Sequence, residues 1–128
     1  MHVLVVEDNP DTRELLHHAL INEGYEVSQA RGVTDALRLS NMHPDIDIVV
    51  VDIHAAHQNS IVHIAQQMRR SLRNGRYVLA SGDWDALEPC CQKDTTVLRK
   101  PYGKNDLLRA VDRCMDHTEH TKQVRRRA

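Results

Sequence analysis

The sequence predicts a doubly wound α/β domain built on a five-stranded parallel sheet, and three observations predict it. Short apolar runs alternate with segments of helical periodicity five times, in units of about 25 residues. The third run, residues 46–53, is mostly β-branched with no polar alternation, which is how a strand covered on both faces reads. The chain is 128 residues long, enough for one domain with a sizeable core and too short for a second. Parallel strands must be joined by crossovers of one hand, so helices are expected on both faces of the sheet.

The elements follow in order. Residues 2–6 form the first strand. Asn9 then reads as an N-cap with Pro10 at the first helical position, and Leu15, Leu16, Ala19 and Leu20 are expected on one helical face up to Gly24. Residues 25–28 are the second strand. A helix from near Gly32 carries Val33, Ala36 and Leu37 and ends at the breaker His43-Pro44. After the central strand, Ile61, Ile64, Ala65, Met68 and Leu72 recur at helical spacing and define an amphipathic helix. Residues 77–80 are a fourth strand, 83–91 a weaker helix interrupted by Pro89, and 95–99 a fifth strand. Residues 104–115 close the domain with Leu107, Leu108, Val111 and Met115 on one face.

Composition narrows the function. Thirty-one Val, Leu and Ile residues supply an aliphatic core, about a quarter of the chain, above the level at which charged sequences stay disordered. With no Phe, one Trp and three Tyr, the chain lacks the material for a base-stacking platform. Residues 1–117 carry a net charge of −4 and residues 118–128 a net charge of +3, so an acidic domain is followed by a basic tail expected to be flexible. An acidic body argues against direct nucleic-acid binding. The longest aliphatic runs, residues 3–6 and 48–51, fall far short of the ~20 residues of a membrane span, and no leader pattern is expected at the start of the chain. A cytoplasmic protein is expected. Three cysteines, Cys90, Cys91 and Cys114, fit neither a disulfide framework nor a structural zinc site, and reduced thiols are expected.

Sites in open parallel sheets form at the carboxyl ends of the strands. There the first strand presents Glu7-Asp8, the third Asp52, the fourth Ser81-Gly82 and the fifth Lys100-Pro101. Three crowded carboxylates repel unless a cation neutralises them, and hard oxygen donors suit Mg²⁺. A carboxylate in such a site can attack phosphorus to form an aspartyl phosphate, with Lys100 and Ser81 as donors to the phosphoryl oxygens.

These segments carry a resemblance. Glu7-Asp8 after Val3-Leu4-Val5-Val6, Asp52 after Ile48-Val49-Val50-Val51, Ser81-Gly82, and Lys100-Pro101-Tyr102 followed by Asp106-Leu107-Leu108 resemble the receiver domain of two-component response regulators, over about residues 1–116. The resemblance implies a flavodoxin-like sheet of order 2-1-3-4-5. It implies that Asp52 takes a phosphoryl group from a histidine kinase, a histidine phosphotransfer protein or a small phosphodonor, and then signals to a protein partner. Asp8, Asp52 and the backbone carbonyl of His54 would bind Mg²⁺, and Glu7 would act through a metal-bound water. Ser81 and Lys100 would contact the phosphoryl group, and the Lys100-Pro101 bond would be cis. Such a domain is a phosphoacceptor rather than an enzyme, catalysing only its own phosphorylation and dephosphorylation.

The sequence also departs from the family. Where an aromatic switch residue commonly stands three positions before the lysine, this chain has Val97. The loop after Asp52 lacks the usual proline and glycine. His54 and Asp83, two residues past Asp52 and Ser81, are expected to tune the lifetime of the phosphorylated state. His54, His57 and His63 are expected to be solvated rather than to hold a metal, and Trp84 to be a packing residue at a helix start. No output domain follows residue 117, so the expected readout is a protein partner, a phosphorelay step or a segment beyond the sequence. An aspartate-nucleophile phosphatase fails as a rival because the hydrophobic strand follows Asp45-Ile46-Asp47 instead of preceding it. A degenerate receiver that binds partners without phosphorylation stays as the alternative.

Overall fold

The computed structural model describes residues 1–52, 66–72, 74–81 and 95–114. Five strands, β1 (His2–Glu7), β2 (Glu26–Ala30), β3 (Ile48–Asp52), β4 (Arg76–Ser81) and β5 (Thr95–Arg99), form one sheet of order β2-β1-β3-β4-β5. Every neighbouring pair is parallel. The expected topology holds because β1 and β3, the two most continuously apolar segments, occupy interior positions where every residue is buried.

Side chains alternate between two cores. Leu4, Val6, Val49, Val51, Tyr77 and Leu79 point to one face, covered by helix α2 (Val33–Met42) and by a helix described over residues 66–71. Val3, Val5, Ile48, Val50, Val78 and Ala80 point to the other, covered by α1 (Pro10–Asn22) and by a helix over residues 104–114. Met68 and Leu72 are buried in the first core, as their spacing predicts; Leu107 and Val111 are buried in the second. Cys114 lies there too, as a reduced thiol whose Sγ donates to the Tyr77 carbonyl at 3.4 Å. The expectations for Ile61, Ile64, Ala65, Met115, the weak helix over 83–91, Trp84, Cys90, Cys91, the histidines 54, 57 and 63, and the tail fall outside the described residues.

Helix α1 shows how local signals set boundaries. The Asn9 side chain accepts from the backbone N–H groups of Asp11 at 2.9 Å and Thr12 at 3.1 Å, and Pro10 needs no such partner. At the other end Gly24 adopts φ +91°, its N–H bonds to the Ile21 carbonyl, and the Tyr25 N–H bonds to the Leu20 carbonyl. That pair of bonds closes the helix in a Schellman arrangement. It also explains a difference from the sequence reading: Tyr25 belongs to the helix cap, so β2 begins at Glu26 and extends to Ala30. A second difference concerns Leu15, expected on the buried face. It is 71% exposed, because the face that meets the sheet is centred on Leu16 and Leu20, and Leu15 lies about 100° around the helix from Leu16.

At the amino end of the sheet, His2 is buried and ties three segments together. Its Nε2 lies 2.7 Å from Ser28 Oγ, its Nδ1 3.1 Å from Asp45 Oδ2, and its backbone N–H donates to Asp47 Oδ2 at 2.9 Å. Among the described residues no helix is long and apolar enough to cross a membrane.

Candidate functional site

The register of the strands assembles the opposite, carboxyl edge. Glu7, last in β1, is paired with Asp52, last in β3; Asp52 is paired with Ala80 of β4; and Ser81, last in β4, is paired with Arg99 of β5, which leads directly into Lys100. The chain leaves β1 toward β2 and returns to the other side of β1 at β3, so the two carboxylates stand at the topological switch point. Parity then decides which face they share. Val3 and Val5 on β1, and Ile48 and Val50 on β3, face the α1 side, so Glu7 and Asp52, two residues further along each strand, face it too.

Both carboxylates are buried, Glu7 at 0% and Asp52 at 1% exposure, whereas Asp8 is exposed beyond the strand end. Lys100 reaches in from the end of β5 and places Nζ 2.5 Å from Asp52 Oδ1. The Lys100-Pro101 bond is cis, as expected. The Arg13 guanidinium donates to the Glu7 carbonyl at 3.0 Å, tying the first turns of α1 to the end of β1. Burial, followed by the charges of Asp52 and Asp8, pushes the Glu7 carboxyl up to about 8, with Lys100 opposing. The raised value reflects first the loss of solvent around Glu7 and then the neighbouring carboxylates, which Lys100 only partly offsets. Glu7, Asp8 and Asp52 are hard oxygen donors of the kind a divalent cation takes, although among the described residues the one group whose ligand atoms lie within 4.8 Å of one another is His2, Glu26 and Asp45 at the opposite edge of the sheet.

The structure adds one participant to which sequence reasoning gave no role. The Tyr102 hydroxyl donates to Asp52 Oδ2, the oxygen that Lys100 does not hold. Burial and the hydrogen bond to Asp52 raise its pKa, so the phenol remains a donor. Tyr102 also lines a groove of about 760 Å³ that runs from Asp52 along α1 past Leu15 and Leu16. The available signal was its spacing: two residues past a lysine at a strand end, within reach of whatever that lysine contacts. Val97, paired with Leu79, packs against the core on the face of the sheet opposite the α1 side. His54 and Asp83 lie outside the described residues.

Comparison with known proteins agrees with this architecture. The family model for the response regulator receiver domain matches residues 3–112. The transcriptional regulatory protein GlrR of Escherichia coli (strain K12) is 28% identical over 121 residues, covering 91% of this chain and 27% of that protein. The uncharacterized transcriptional regulatory protein YrkP of Bacillus subtilis (strain 168) is 31% identical over 107 residues, covering 82% of this chain and 45% of that protein. The chain thus spans between about a quarter and a half of the length of these relatives. Among solved structures, a CheY-like receiver domain protein from Methanospirillum hungatei JF-1 superimposes with a TM-score of 0.79 at 18% identity, covering 94% of this chain and 97% of that one. The chemotaxis protein CheY4 of Vibrio cholerae gives 0.72 at 20% identity, covering 88% and 97%. Because the match runs through all five strands and ends within the last described helix, the chain belongs to the response regulator receiver domain family.

Proposed function

We propose that this receiver domain accepts a phosphoryl group on Asp52 and passes the resulting change of state to a protein partner. The observation that carries the reading is the contact between Lys100 Nζ and Asp52 Oδ1 at 2.5 Å, made in a buried pocket beside Glu7. A carboxylate held this way is oriented and electrostatically supported without being consumed by a bidentate partner. An Asp52 oxygen attacks the phosphorus of a phosphohistidine or an acyl phosphate. A P–O bond forms, the P–N or P–O bond to the donor breaks, and the leaving group departs with the electron pair. Lys100 then lies beside the phosphoryl oxygens, and Ser81, at the end of the adjacent strand, is assigned a hydrogen bond to them.

Receiver domains generally bind Mg²⁺ at an acidic pocket. Here Asp8, Asp52 and the backbone carbonyl of His54 would hold the ion, with Glu7 acting through a bound water. Bound there, it would supply positive charge to the equatorial oxygens of the phosphoryl group. His54 and Asp83 are assigned to the lifetime of the phosphorylated state. The donor is a histidine kinase or a histidine phosphotransfer protein. The output is a protein contact, with no direct binding to nucleic acid or membrane, in the cytoplasm. Receiver domains are signalling domains and not classical enzymes, and the only catalysis assigned to this one is on its own aspartate.

Incubation with acetyl phosphate and Mg²⁺, followed by intact mass measurement, tests the reading. A single labile phosphoryl adduct on the wild type, absent from Asp52→Asn, is expected. An unmodified wild type, or equal yield on the variant, would contradict it.

A further inference from the structure

Both oxygens of Asp52 are already engaged before any phosphoryl group arrives: Oδ1 by the Lys100 ammonium and Oδ2 by the Tyr102 hydroxyl. The two donors differ in what they do next. Lys100 is cationic and remains attracted to a phosphoryl group carried by Asp52. The Tyr102 phenol is neutral, and what holds it here is the carboxylate oxygen to which it donates. Once Asp52 carries a phosphoryl group its carboxylate charge is gone: one oxygen bridges to phosphorus and the other is a neutral carbonyl, so Oδ2 is a weaker acceptor whichever oxygen forms the P–O bond. The hydrogen bond that holds Tyr102 against Asp52 is therefore weakened by the event the site exists to register.

We propose that Tyr102 is a positioning residue that restrains the unphosphorylated Asp52 and is released when Asp52 is phosphorylated, carrying the change into the groove beside α1. This inference rests on the phosphoacceptor reading and adds to it a named residue for restraint and readout.

Three features support the route. Tyr102 is half-buried, lies on the α1 side of the sheet with Leu107 and Leu108, and is continuous with the groove that Leu15 and Leu16 line. A ring leaving Asp52 has that groove, about 760 Å³, to move through without displacing a packed core residue. Leu15, the exposed leucine on its wall, makes the groove an apolar surface whose shape the ring would alter. The phenol proton stays on Tyr102 throughout: phosphoryl transfer makes one P–O bond and breaks the donor's bond to phosphorus, and the hydroxyl changes only its acceptor.

The test uses the full chain labelled with 3-fluorotyrosine, which gives three ¹⁹F signals, from Tyr25, Tyr77 and Tyr102. Tyr102→Phe identifies the third. Beryllofluoride with Mg²⁺, a phosphoryl mimic, is expected to shift the Tyr102 signal in the wild type and leave it unmoved in Asp52→Asn. In parallel, Tyr102→Phe is expected to take up the phosphoryl group from acetyl phosphate roughly tenfold faster than the wild type, the scale of losing one hydrogen bond to a charged oxygen. A Tyr102 signal that stays still while the wild type is demonstrably phosphorylated overturns the proposal and leaves Asp52 as acceptor. A Tyr102→Phe rate equal to or below the wild type also overturns it, since the hydroxyl would then be neutral or helpful to attack. If the wild type takes up no phosphoryl group at all, the phosphoacceptor reading falls, and this proposal with it. The ¹⁹F measurement on the wild type holds whether or not the variant is fully stable.

Discussion

At the scale of single residues, the site is a competition between burial and charge. Glu7 is fully buried beside a second carboxylate, and its pKa is raised from 4.5 to about 8, so the folded protein binds a proton there that the unfolded chain releases. The stabilisation from that proton is complete below about 4.5 and is lost as pH rises through about 8. With divalent cations chelated, the melting temperature is therefore expected to fall between pH 5 and 9 more steeply in the wild type than in Glu7→Gln. Parallel profiles would show that Glu7 ionises normally. On the proposed reading Mg²⁺ offsets the same charge, and at a concentration one hundred times its Kd it is expected to add about 2.7 kcal/mol to stability, most of which Asp8→Ala is expected to remove. An equal thermal shift in both proteins would exclude Asp8 as a principal ligand. Glu7, Asp52 and Lys100 were legible in the sequence because strand ends and register alone bring them together. Tyr102 was not legible as a partner, because its contact depends on how the chain turns after Pro101, which no periodicity records.

At the scale of elements, helix α1 separates what pattern can and cannot tell. Its start at Asn9-Pro10 and its end at Gly24 were readable, since both are set by local backbone chemistry. Which of two adjacent leucines faces the core was not, because an apolar stripe two leucines wide fits more than one rotation of the helix on the sheet. Leu16 is 4% exposed and Leu15 71% exposed. Leu16→Ala is accordingly expected to cost about 2–4 kcal/mol, while Leu15→Ala stays within about 0.5 kcal/mol. Urea unfolding of the two variants distinguishes them; equal costs would mean that α1 sits rotated from this arrangement. The central strand raised no such ambiguity, since a segment buried on both faces reads the same from either side.

At the scale of the whole molecule, the parallel sheet was legible from alternation and the central apolar strand, and the order β2-β1-β3-β4-β5 from the resemblance. That order has one consequence for function. The chain's winding across the sheet reverses between β1 and β3, which leaves a crevice at their carboxyl ends, and the last residues of those parallel strands are the two buried carboxylates. Lys100 and Tyr102 arrive from the β5 end, so on the proposed reading a change at Asp52 is expected to reach α1 through residues 100–102, on one face of the sheet. The central claim is that Asp52 is the phosphoacceptor, and its most direct test is to locate the phosphoryl group chemically. After treatment with acetyl phosphate and Mg²⁺, borohydride reduction converts an aspartyl phosphate into homoserine, which peptide mass mapping places in the chain. Homoserine at position 52 and at no other aspartate is the expected result. Homoserine at Asp8 or elsewhere, or none in a protein that carries the phosphoryl adduct, would contradict the account.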